Sequence, residues 1–256
     1  MSFLDAKWRG RWPAGGSRRG ATALLVAAAV FPAAPALAQP AMGHIIQRYD
    51  PAELPEGKAN ALEGQRALYD YGACLVKVRR RQVERFLAID PFTEEAGRVG
   101  QQIVSGECLS SGEMRFGAIA LRGPFFQALF RRDFGNKAMP DLRNAPRLDY
   151  ASGVSTTFAT SATLTNLRRF ADCVARLDQF PVRALAMSEA GSADEKAAFR
   201  TMAPSMARCI APGDKVEFQP PLLRAVFAEV LYRLASRSVG HPMAVDAARG
   251  TQEASR

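Results

Sequence analysis

The segment Leu68-Tyr69-Asp70-Tyr71-Gly72-Ala73-Cys74-Leu75-Val76-Lys77-Val78 sets Leu68, Tyr71, Leu75 and Val78 at i, i+3, i+7 and i+10. That spacing lines one face of an α-helix and puts a cysteine on the same helix. The pattern recurs at an offset of 99, where Leu167, Phe170, Val174 and Leu177 repeat the apolar positions and Cys173 repeats Cys74. Farther along, at an offset of 102, Phe116, Leu121, Arg122, Phe125, Leu129 and Arg131 return as Phe218, Leu223, Arg224, Phe227, Leu231 and Arg233. Between the two blocks, Cys108 and Cys209 are each followed four residues later by a glycine, Gly112 or Gly213. Self-similarity at a fixed period points to a duplicated unit.

The expected fold is therefore mainly all-α: two homologous four-helix units, residues 47–133 and 146–235, each with one disulfide and a short extended segment. Pro181 suits the first turn of a short second helix, where its missing N–H would be unpaired anyway. Thr93, Glu94 and Glu95 start the third helix of the first unit. In the second unit Gly191 stops one helix and Ser192 caps the next, with Glu195 placed to complete a capping box. Met114-Arg115-Phe116 and Val216-Glu217-Phe218 alternate and read as extended. Leu121, Phe125 and Leu129, at i, i+4 and i+8, define the fourth helix, which tolerates Pro124 only in its first turn. Residues 39–46 are read as a flexible N-terminus, 134–145 as a linker, the Ser/Thr-rich stretch at 150–163 as a loop and 236–256 as a disordered tail.

Residues 1–38 bear on the compartment. Lys7, Arg9, Arg11, Arg18 and Arg19 lead into an apolar, alanine-rich run from Ala21 to Ala38 that ends in Ala36-Leu37-Ala38. This is the layout of a signal peptide cleaved after Ala38. A retained anchor is the competing reading, but Pro32 and Pro35 interrupt the run, which falls short of the roughly 20 apolar residues of a spanning helix. Ser17-Arg18-Arg19 opens like a twin-arginine signal, yet Gly20-Ala21-Thr22 does not continue it, so general secretion is the expected route. The mature chain would hold 29 basic and 24 acidic residues, a net charge of +5 rather than +9. Export and that modest charge argue against a nucleic-acid partner. No other stretch is long and apolar enough to span a bilayer.

In an exported chain, four cysteines at separations of 34 and 36 within the two units read as structural disulfides. Three pairings are open on paper, and the duplication favours Cys74 with Cys108 and Cys173 with Cys209. No Cys-x-x-Cys pair suits redox chemistry, and no close Cys/His spacing suits zinc, so no metal and no cofactor are expected. His44 and His241 lie in terminal segments, and a Ser-His-Asp or Cys-His mechanism would need one of those ends to fold back over the core. No catalytic residues are assigned. Asp90, Glu94, Glu95, Glu107 and Glu113 could form a glycosidase-like carboxylate pair, but Glu94 and Glu95 suit a helix N-terminus and the others a solvated surface. The run Arg79-Arg80-Arg81, with Arg85 beyond it, could meet an acidic partner or anionic head groups, or simply end a helix. Arg122 and Arg224, at equivalent points before each fourth helix, are candidate binding residues; the alternative role is to fix a loop by bonding carbonyls or carboxylates.

The export segment, the Tyr71-Gly72-Ala73-Cys74 and Phe170-Ala171-Asp172-Cys173 helices, the Cys-x-x-x-Gly turns and the Leu-Arg-x-x-Phe helices together resemble exported proteobacterial helical proteins of unknown function with a duplicated two-cysteine unit. The turn Cys209-Ile210-Ala211-Pro212-Gly213 is also similar to one in exported helical immunity proteins that protect against secreted toxins. These features imply a periplasmic or secreted, non-catalytic binding or protein-interaction module whose partner is an unknown periplasmic protein or ligand. A carboxylate-dependent envelope hydrolase and an immunity or inhibitor protein are the alternatives.

Overall fold

Helix α1, Ala61–Ala88, grows from the segment around Cys74 and buries Tyr71, Gly72, Leu75, Val76, Val83, Phe86 and Leu87. In the computed structural model, residues 43–48, 61–109, 112–151, 159–211, 219–243 and 246 are described, all within the unit Met42–Arg256. The export segment 1–38 and the extended stretch Val216-Glu217-Phe218 lie outside the described residues. Val78 departs from the sequence reading, being 51% exposed. At about 100° per residue, the buried stripe centres between Tyr71 and Val76 and leaves Val78 about a quarter turn to one side. A kink at Arg79 then redirects the helix (φ −134°, ψ 35°). The short second helix expected for the first unit is this continuation of α1. Gln82, 99 residues before Pro181, is no proline, so nothing forces a fresh start.

Helix α2, Glu94–Ile103, begins as its sequence requires: the Thr93 hydroxyl accepts a hydrogen bond from the Ala96 N–H, and two carboxylates sit in the first turn. A short 3₁₀ turn, Gly106–Cys108, follows. Strand β1, Gly43–Arg48, pairs antiparallel with β2, Gly112–Gly117, so a segment read from sequence partly as flexible N-terminus is paired backbone, with His44 opposite Phe116. After a second 3₁₀ turn comes α3, Arg122–Phe134, with Pro124 in its first turn. The second half runs α4 (Ala159–Leu177), α5 (Gln179–Met187), α6 (Ala193–Arg208) and α7 (Pro220–Ser238).

Helices α3 and α7 pack on each other; α1 covers α3, while α4 and α5 cover α7. Both central helices are buried on nearly every side, as a helix in the middle of a layered core must be. Phe125, Leu129, Phe227 and Leu231 are all buried, as their shared spacing predicts. The connection after α3 is tied down: Leu142 is buried, its N–H donates to Gln179, and the Arg176 guanidinium donates to the carbonyls of Leu142 and Ala145. The tail is ordered where it is described, since α7 runs on to Ser238 and both Met243 and Asp246 are buried.

Cys74 on α1 pairs with Cys108, with Cα atoms 5.6 Å apart, and Cys173 on α4 pairs with Cys209 at the end of α6, at 6.0 Å. The first bond ties α1 to the 3₁₀ turn after α2, and the second ties α4 to the end of α6. Beside the first bond, the Tyr71 hydroxyl donates to the Ser105 carbonyl and accepts from the Ser105 N–H. Two such disulfides fit a non-cytoplasmic protein. Among the described residues no helix is long and apolar enough to cross a membrane.

Candidate functional site

Arg122 opens α3 and Arg224 lies in the second turn of α7, and the fold buries both, to 6% and 1% exposure. Arg122 donates to the carbonyls of Phe86 and Leu87 in the last turn of α1 and of Ile89 just after it, at 3.4, 2.8 and 3.2 Å. Arg224 donates to the Ser188 carbonyl at the end of α5, to the Ser188 hydroxyl at 3.2 Å, to Gln127 at 3.1 Å and to Glu195 at 2.8 Å. A cation at a helix C-terminus satisfies carbonyls that have no partner within the helix. Each arginine is thus a tie between a central helix and the end of its neighbour, and a ligand reaching either would first have to displace those bonds. Glu195 has a double role, because its other oxygen accepts from Gly191 N–H while Ser192 caps α6 by accepting from the Glu195 N–H. The expected capping box is therefore shifted by one residue: the carboxylate takes the N–H of Gly191, whose φ of +71° suits glycine, and not that of Ser192.

On the other side of α7, Glu229 bonds Arg168 at 2.8 Å and Arg233 at 3.3 Å, and Arg233 grips both oxygens of Asp246 at 2.6 and 3.1 Å. These side chains are at most 5% exposed. Burial alone would raise the Glu229 carboxyl, but the charges of Arg168, Arg122 and Arg233 outweigh it and hold it below its usual value. Only the Glu229–Arg233 pair, i and i+4 on α7, is within reach of sequence; Arg168 lies on α4, 61 residues from Glu229. Asp246 also accepts in a way that anchors the tail, with its N–H donating to the Met243 carbonyl and its own carbonyl accepting from Arg237.

That anchored tail walls an open cleft of about 760 Å³. Arg80, Glu84 and Arg85 contribute from α1; Asp133, Phe134, Lys137 and Ala138 from the end of α3; Tyr232, Ser236, Val239, His241, Pro242 and Met243 from the end of α7 and beyond. Arg80 holds Asp133 with two bonds of 2.8 and 2.7 Å and Glu84 with a third of 2.7 Å. The Tyr232 hydroxyl adds a bond to Asp133 at 3.0 Å. Burial first, and the Asp133 carboxylate next, push the Tyr232 phenol well above its ordinary value, so it stays a neutral donor.

Of the arginine run, Arg80 faces inward to these carboxylates, Arg79 reaches the Gln102 carbonyl and Glu107, and Arg81 and Arg85 are exposed. Of the acidic residues singled out from sequence, Asp90 accepts from the Phe92 N–H, Glu94 and Glu95 sit exposed at the start of α2, and Glu107 is an exposed partner of Arg79. The Glu113 and His44 side chains lie outside the described residues. His241 does come to the cleft, by its N–H donating to the Ser236 carbonyl at 2.9 Å. Its imidazole makes no hydrogen bond to Ser236 or Asp133 among the described residues, and Ser236 is buried. Among the described residues no group of three His, Cys, Asp or Glu could hold a metal ion. Compared with known protein families, curated proteins and solved structures, the chain matches none.

Proposed function

We propose that this chain is an exported, non-catalytic binding module of the bacterial periplasm, built from two copies of one helical unit, with the cleft beside Arg80 as its ligand site. The observation that carries the binding reading is the state of the cleft's carboxylates. Both oxygens of Asp133 and one of Glu84 are bonded to the same guanidinium, with Tyr232 on Asp133 as well. A glycosidase-like pair needs one carboxyl free to donate a proton and another free to attack or activate water across a gap of roughly 5 to 9.5 Å. Carboxylates gathered around one arginine serve neither need, whereas the apolar wall beside them is open to a ligand.

Duplication is supported by the order of elements. At an offset of 99 the two parts of kinked α1 correspond to α4 and α5, and α2 corresponds to α6; at 102, α3 corresponds to α7. The disulfides and the two arginine ties keep the same places. Export is supported by the disulfides and the Ala36-Leu37-Ala38 segment, and N-terminal sequencing from the native envelope fraction is expected to begin at Gln39.

The binding reading is tested by native mass spectrometry of the oxidised chain after exposure to a small-molecule extract of the cell envelope. A bound compound is expected for the wild type and is lost in Ala138→Trp, which fills the cleft from its exposed rim. Turnover of an envelope polymer, abolished by Asp133→Asn, would instead establish the hydrolase, and a toxin captured equally well by Ala138→Trp would move the site elsewhere.

A further inference from the structure

The cleft's two surfaces, cationic and apolar, specify a ligand class, and the inference rests on the binding reading above. Its charge is asymmetric in what remains available. Glu84 and Asp133 are engaged by Arg80, whereas Arg85 and Lys137 are exposed and have no carboxylate partner among the described residues. The Lys137 ammonium lies 5.8 Å from the centre of the Phe134 ring, so the free cation stands directly beside the apolar wall. Phe134 and Met243 form the buried part of that wall, while Val239 stays 46% exposed at its edge. A cavity of about 760 Å³ falls within the range of small-molecule sites, roughly 300 to 1,000 Å³.

We propose that the cleft binds one molecule of an amphiphilic anion, its head group at Arg85 and Lys137 and its apolar chain along Phe134, Val239 and Met243. A small hydrophilic anion would leave the apolar wall wet. An amphiphilic cation would set its charge against two unpaired cations. The occupant is a single monomeric amphiphile, not a bilayer surface, because the binding surface is a walled cleft closed on one side by the anchored tail.

The test is isothermal titration of the full oxidised chain with dodecyl phosphate below its micelle concentration. Dodecyltrimethylammonium serves as the same chain with opposite charge, and inorganic phosphate as the head group alone. Dodecyl phosphate is expected to bind about tenfold or more tightly than the cation, since two exposed ion pairs together supply on the order of 1 to 2 kcal/mol. Inorganic phosphate is expected not to bind measurably. In Arg85→Glu/Lys137→Glu the preference is expected to vanish or invert, while circular dichroism and both disulfides stay unchanged because neither residue is buried. Equal binding of both amphiphiles, a preference untouched by charge reversal, or equal binding of inorganic phosphate overturns the assignment. If no probe binds but the envelope extract still yields a compound lost in Ala138→Trp, the ligand class fails and the binding reading stands. If that compound is missing too, both fail.

Discussion

Glu229 is a carboxylate taken out of water and surrounded by guanidiniums, and two opposing effects act on it. Desolvation favours its neutral form, whereas Arg168, Arg122 and Arg233 favour the charged one; the net effect lowers its pKa. A carboxyl whose folded-state pKa lies below its unfolded value of about 4.3 stabilises the fold fully above that pH. The contribution is lost as pH falls from there through the folded-state value. Urea unfolding from pH 6 to pH 3 is therefore expected to show a loss of stability in the wild type that is smaller in Glu229→Gln; parallel loss in both proteins would show that another group is responsible. Arg224 poses the same problem from the cationic side. Replacing it with methionine leaves Glu195 buried without its charge partner, and a loss of about 3 to 5 kcal/mol is expected. Adding Glu195→Gln is expected to recover part of it, because the uncompensated charge goes too. A double mutant no more stable than Arg224→Met would mean that the pair is not coupled as its 2.8 Å separation requires.

Helix contacts explain which parts of the fold the sequence announces. The caps at Thr93 and Ser192 are readable because donor and acceptor lie within three residues of each other. The faces of α3 and α7 are readable from periodicity, and the cysteine pairing from the duplicated spacing. Val78 is misassigned because several apolar residues in one helix leave the centre of the stripe ambiguous, and only packing decides it. Close approach is not readable at all. A Cβ on Gly123 would lie 2.4 Å from the Ala225 Cβ, and one on Gly72 would lie 2.5 Å from the Pro124 Cβ, so these glycines let α3 approach α7 and α1. The Ala225 neighbour is more than a hundred residues away in sequence, out of reach of local patterns like the Arg168 partner of Glu229 and the Arg80 and Tyr232 partners of Asp133. Gly64 also sits in α1 but has nothing within 4 Å of such a Cβ. Gly123→Ala is therefore expected to cost about 1 to 3 kcal/mol through overpacking, while Gly64→Ala is expected to stabilise by about 0.5 to 1 kcal/mol through helix propensity. Equal effects in chemical denaturation would show that the α3–α7 contact is looser than its geometry implies.

At the scale of the whole molecule, the two halves share one core. Helix α3 of the first half packs on α7 of the second; Arg224 of α7 bonds Gln127 of α3, and Tyr232 bonds Asp133. The cleft is itself built from both halves, so it exists only when they are joined. Two successive sets of helices could instead have formed two modules that fold separately, and cooperativity distinguishes the cases. If either half unfolded alone, the other would expose Phe126, Phe130 and Leu231, now buried, to water. Burying a large apolar side chain stabilises by roughly 1.5 to 3 kcal/mol, so several such exposures together would make the half-folded state too costly to accumulate. Differential scanning calorimetry of the oxidised chain is expected to give one transition whose van't Hoff and calorimetric enthalpies agree. Cutting the first disulfide with Cys74→Ser/Cys108→Ser removes a loop constraint worth about 3 to 4 kcal/mol in the chain-entropy model. The single transition is then expected to move down in temperature as a whole, even though the change lies in the first half only. A trace that splits in two, with the upper transition left where the wild type melts, would mean that α4 to α7 hold together without α3 and that the shared core is not what unites the fold.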